Sequence, residues 1–141
     1  IGLIGGSQTT SMIKSTVVSI LIVAIGGALG AVARYGTVSA VARLTGLGFP
    51  WGTVVVNLVG SLALGILIGA MAHGLQLSQE ARTFLAVGFL GAFTTFSTFS
   101  LDTVTLIERG AWTPALGYAL GSVVAGVALF FLGLRAWRLV A

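Results

Sequence analysis

Charge is what this chain has least of. Of its 141 residues, 7% are Asp, Glu, Lys or Arg and 57% are hydrophobic, with a mean hydropathy of +1.10. A soluble domain carries about a quarter of its residues charged, so this chain has too little charge to solvate a water-facing surface. Cysteine is absent, which excludes disulfides, iron–sulfur clusters and thiol nucleophiles and leaves the redox compartment undetermined. One histidine and three acidic residues supply no paired-carboxylate site, no metal-ligand spacing and no phosphate-binding glycine loop. A Ser–His dyad would need His73 to meet a serine of another helix, with no local motif behind it. His73, close to a helix end, reads as an interfacial residue, and the chain is not expected to be an enzyme. The net charge of +4 rests on scattered residues, never a basic stripe, so nucleic acid is not an expected partner.

What the chain does have is long apolar runs. Spanning a bilayer takes roughly 20 apolar residues per helix, so the length allows about four spans with short loops. The expected architecture is an all-α membrane protein with spans near 17–35, 52–72, 81–108 and 114–137, the four-helix unit covering 12–141. Residues 1–11 read as an extension ahead of a start at Met12, with no function assigned. Lys14, an apolar run and Ala31-Val32-Ala33 also resemble a signal peptide and its cleavage site. The later spans favour instead the first helix of a polytopic protein.

The polar exceptions inside these runs carry the functional signal. In the third span, Gly88, Gly91 and the hydroxyls of Thr94, Thr95, Ser97, Thr98 and Ser100 stand among phenylalanines. A lipid-facing helix would carry Leu, Ile and Val there. Backbone that is broken or hydroxyl-rich at membrane depth survives only where it is buried in protein or lines a pathway. A break near mid-membrane is therefore expected, and half-helix ends are ion sites. Asn57 is an amide inside an apolar helix, where unpaired donors cost several kcal/mol. It must pair with a neighbouring helix, with water or with a permeating ion. Phe96 and Phe99, three apart, lie near one face, where ring edges attract anions and ring faces cations. Tyr118 and Ser122, four apart, share a face as helix glue or as a polar track. Arg34 is either a snorkelling residue at the span's end or one that fixes the helix end or holds an anion in a vestibule.

Four spans put both termini on one side, with Lys14, Arg82, Arg135 and Arg138. Arg43 and Arg109 lie opposite, with Arg34 at the margin. This is a weak positive-inside bias, compatible with insertion in both orientations.

Three stretches read together resemble one family. They are Gly26-Gly-Ala-Leu-Gly30-Ala-Val-Ala-Arg34-Tyr, Pro50-Trp-Gly-Thr-Val-Val-Val-Asn57-Leu-Val-Gly60-Ser, and Gly88-Phe-Leu-Gly91-Ala-Phe-Thr94-Thr-Phe96-Ser-Thr-Phe99-Ser. They closely resemble the Fluc (CrcB) fluoride channels, with a likeness running from Met12 onward. The resemblance implies an inner-membrane, dual-topology homodimer of four-helix subunits, with two pores that pass fluoride out of the cytoplasm and reject chloride. It makes Asn57 the pore amide and Phe96 and Phe99 the pore-facing rings. Tyr118 and Ser122 belong to the polar track, with Thr95 and Ser97 contributing hydroxyls. A structural sodium ion is implied on the dimer axis, held by backbone carbonyls of Gly91 and Thr94. Arg34 matches the family's first-helix arginine, and Asp102 stands where many relatives carry Glu. The chain departs from the pattern at Gly126, where some relatives extend the polar track, and in residues 1–11. Two rival readings are a small dual-topology drug or cation exporter and a structural membrane subunit. The exporter would want an acid in its first helix, where this chain has only Arg34.

Overall fold

The computed structural model describes residues 4–139. Helix α1 (Ile4–Thr45) is followed by α2 (Trp51–Ala72). A third helical run comprises α3 (Gln79–Arg82), a π-helical stretch Thr83–Leu90 and the single turn α4 (Gly91–Phe93). Helix α5 (Phe96–Glu108) continues beyond an interruption at Thr94 and Thr95, and α6 (Trp112–Ala136) ends in a 3-10 turn, Trp137–Leu139. Four helical segments are long and apolar enough to cross a membrane, as the apolar runs predict.

The first helix departs most from its expected window. Nothing between Ile4 and Thr45 breaks it, because no proline intervenes and the threonines bond backward within it. Thr37 Oγ1 donates to the Ala33 carbonyl at 2.9 Å, and Thr45 Oγ1 to that of Val41 at 2.9 Å. It stops at Gly46, whose φ of +79° suits glycine and whose N–H caps the Ala42 carbonyl at 2.9 Å. The helix thus runs ten residues beyond the limit expected near residue 35. At 1.5 Å per residue α1 is about 63 Å long, roughly twice a bilayer's hydrocarbon core. Of the expected N-terminal extension, residues 1–3 lie outside the described residues, and from Ile4 onward the backbone is helical and continuous with the first span.

Helix α6 lies along α2, and α1 along the π-helical stretch. Both crossings need glycine. A Cβ on Gly30 would strike the carbonyl oxygen of Phe89, and one on Gly65 that of Phe130. Backbone-to-backbone approach of this kind is the small-residue packing of membrane helices. Leu106, Ala115 and Tyr118 form a buried cluster flanked by Phe49, Val54 and Phe99. Outward-facing residues such as Leu21, Val32, Leu120, Val124 and Val127 are at least half exposed, which is what a lipid-facing surface requires. Trp137 ties the end of α6 to α2 through Nε1 and the Ile66 carbonyl, at 3.1 Å.

Candidate functional site

The interruption at Thr94 and Thr95 organises the site. Both residues are extended, with φ/ψ of −82°/160° and −153°/119°. Asn57 of α2 repairs the exposed backbone. Its Oδ1 accepts from Thr95 N at 2.8 Å, and its Nδ2 donates to the Thr95 carbonyl at 3.0 Å. The amide side chain thus takes both polar groups of Thr95, which would otherwise be left unpaired at considerable cost. Thr95 then starts α5 as its N-cap: Oγ1 accepts from Thr98 N at 3.2 Å and donates to Thr98 Oγ1 at 3.0 Å, with Ser97 Oγ 3.5 Å away. Gly60 makes room for this, since a Cβ there would strike the Thr94 methyl.

Two carbonyls are released by these exchanges. The helical partner of the Gly91 carbonyl would be Thr95 N, which bonds to Asn57 instead. That of the Thr94 carbonyl would be Thr98 N, which bonds to Thr95 Oγ1. Arg34 Nη1 reaches the Thr94 carbonyl at a long 3.4 Å, so Arg34 lies against the break rather than at a free helix end. A cavity of about 300 Å³ opens here, its walls including Asn57, Gly91, Thr94, Thr95, Phe96 and Ser61, with no charged residue among them. Phe96 is 78% exposed at its rim.

A second polar cluster lies along α5. Asp102 Oδ2 accepts from Thr53 Oγ1 at 2.7 Å and from the Tyr118 hydroxyl at 3.1 Å. Tyr118, 2% exposed, is packed between rings, with centroids 5.2 Å from Phe99 and 5.6 Å from Phe49. Phe99 in turn stands 5.6 Å from Phe96. The chain of contacts therefore runs from Asn57 through Thr95 and Thr98 on one side, and through Phe96, Phe99 and Tyr118 on the other. Ser97 is exposed, touching this array only through Thr95. Ser122 does not join Tyr118: it lines a groove with Ser61, Gly126 and Phe130. That groove shares Ser61 and Phe130 with the cavity at the break.

Sequence reasoning passed over Thr53 and gave Asp102 no site role. An acid in an apolar segment with a Thr and a Tyr on neighbouring spans was the available signal, but only the fold shows that they meet. Gly126 is not a packing necessity: a Cβ there would lie 3.6 Å from Ser61 Oγ, an ordinary contact. Gly126→Ser is therefore expected to leave the thermal midpoint of the purified protein within about 2 °C, since surface changes are typically within ~0.5 kcal/mol. A large drop would place a backbone against Gly126 that the structure does not have.

The model of the family described as "CrcB-like protein, Camphor Resistance (CrcB)" matches residues 21–134, most of the chain. The chain belongs to the CrcB family. CrcB relatives include a protein of Chelativorans sp. (strain BNC1), 50% identical over 115 residues, covering 82% of this chain and 92% of that protein. One from Paracoccus denitrificans is 53% identical over 116 residues, 82% of this chain and 91% of its own. A third, from Thermus thermophilus, is 50% identical over 115 residues, 82% and 91%. Each bears the name "Fluoride-specific ion channel FluC". With four membrane-spanning helices in a CrcB chain, this is a multi-pass membrane protein.

Proposed function

We propose that this chain is a fluoride-selective channel of the cell inner membrane, passing fluoride passively out of the cytoplasm through two pores per antiparallel homodimer. One observation carries the reading. At the helix break an amide, Asn57, meets Thr95 beside Phe96 at a cavity whose lining includes no charged residue, and the hydroxyls of Ser97 and Thr98 adjoin it through Thr95 Oγ1. Fluoride is small and strongly hydrated, so only a narrow path dense in donors replaces its water, and chloride is too large for that path. One hydrogen of the Asn57 amide is committed to Thr95, leaving the second for an ion. Phe96 and Phe99 would offer their electropositive ring edges. Farther along, Tyr118 and Thr53 donate to a carboxylate oxygen, so an anion reaching these hydroxyls would exchange with Asp102. Ser122 would serve a separate part of the polar track, along the groove with Ser61.

The exposure of Phe96 and the open side of the cavity favour a second copy as the facing wall. The near-balance of basic residues at the two ends favours opposite orientations for the copies. Sodium fits the donor chemistry of the break, because the Gly91 and Thr94 carbonyls are neutral, hard oxygens freed from helical bonding. Two such oxygens per copy are an incomplete set, and a sodium ion bound to both copies would link them.

The test is ion efflux from proteoliposomes, followed with fluoride- and chloride-selective electrodes at the same membrane potential. Rapid fluoride loss without chloride loss is the expected result. A folded, reconstituted protein that releases neither ion, or both alike, would overturn the reading.

A further inference from the structure

A vestibule of about 230 Å³ lies at one end of the hydroxyl series, walled by Gly46, Phe49, Thr98, Asp102, Thr105 and Arg109 among others. Thr98 belongs both to this wall and to the bonded group at the break. The vestibule is thus joined to the cavity beside Asn57 through the Thr98–Thr95 hydrogen bond. Among the described residues, Asp102 and Arg109 are its only charged lining groups. They are seven positions apart, Asp102 within α5 and Arg109 as the residue that caps its C-terminal end, hence near one face and about 10 Å apart along the axis. Asp102 is held inward by Thr53 and Tyr118. Arg109 sits at the outer end, exposed, and its guanidinium makes no hydrogen bond or ion pair among the described residues.

From this arrangement we infer that Arg109 is the residue that admits anions to this end of the pathway. Without it the vestibule presents one carboxylate, which repels fluoride; with it the lining is formally neutral and its outermost group is cationic. Charge at the mouth of a cleft raises the local concentration of an oppositely charged ion. The effect is screened over about 10 Å at 0.1 M salt. Glu108, the neighbouring acid, and Arg43, the nearby base of α1, are not part of this lining. The inference rests on the channel reading above.

The absence of native cysteine makes a charge-replacement test clean. Fluoride current through R109C in planar bilayers is expected to fall about five-fold at low ionic strength and less than about two-fold near 0.5 M salt. A cationic thiol reagent should restore it and an anionic one depress it further. R43Q should conduct as wild type. If wild type conducts and R109C is unchanged, or responds alike to both reagents, the Arg109 inference fails alone. A loss of thermal stability without loss of current would assign Arg109 to the helix end instead. A current that follows the anionic-lipid content and ignores reagent charge would assign it to headgroup binding. Absence of fluoride current in wild type would overturn the channel reading, and the inference with it.

Discussion

Replacing Asn57 with aspartate is expected to lower fluoride efflux about 100- to 1,000-fold while the protein still elutes as a folded species. The carboxylate would keep the bond from Thr95 N but lose the one donated to the Thr95 carbonyl. That loss costs about 1–3 kcal/mol, the penalty of an unsatisfied buried acceptor, and the Thr95 carbonyl would also face a negative charge. The larger effect is on the ion. Two like charges about 4 Å apart at an effective dielectric near 20 repel by roughly 4 kcal/mol. Each 1.36 kcal/mol is a factor of about ten in rate. Proteoliposome efflux together with size-exclusion chromatography separates the two consequences. Wild-type flux from N57D would remove Asn57 from the pathway and leave it only the role of pairing Thr95.

The second large effect is structural. Gly30→Val is expected to abolish recovery of monodisperse protein, or to lower its stability by about 3 kcal/mol or more. The added Cβ meets the Phe89 carbonyl, which belongs to backbone and cannot rotate aside. Overpacking in a rigid contact costs about 1–3 kcal/mol, and more where backbone must move. Here α1 would have to separate from the π-helical stretch, on which the placement of Arg34 beside Thr94 depends. Gly27→Ala is the control. Its nearest neighbour would be the Gly88 carbonyl at 4.0 Å, so it should extract and melt like wild type. Because alanine is the better helix former, equal damage from both substitutions would mean that the close approach at Gly30 does not set the result.

The two predictions rest on different kinds of legibility. Asn57 was conspicuous as an amide in an apolar run, and pairing with a neighbouring helix was one of the outcomes its chemistry allowed. Its partner was not legible. Thr95 lies 38 positions away, and only the packing of α2 against the third helical run brings them together. Gly26 and Gly30, one turn apart, make a small-residue face by spacing alone, but the atom that Gly30 must avoid is set only by the fold. Tyr118 and Ser122 share a helical face by spacing, yet neighbouring helices put one against Asp102 and the other beside Ser61.

The amino-acid sequence by itself determined the class of this protein. A chain with so few charges and four long apolar runs has no soluble solution, because every backbone group in hydrocarbon must be bonded internally and helices achieve that locally. It also marked the hydroxyl-rich stretch around Thr94 to Ser100 as unsuited to lipid, since composition alone sets that cost. Tertiary structure decided what those groups do. The π-helical stretch has no signature in residue type, the C-terminal end of α1 depends on where Gly46 turns the chain, and Asp102 finds Thr53 and Tyr118 only across helices. Such pairings are set by how rigid helices cross, and crossing is fixed by glycine contacts between residues far apart in the chain.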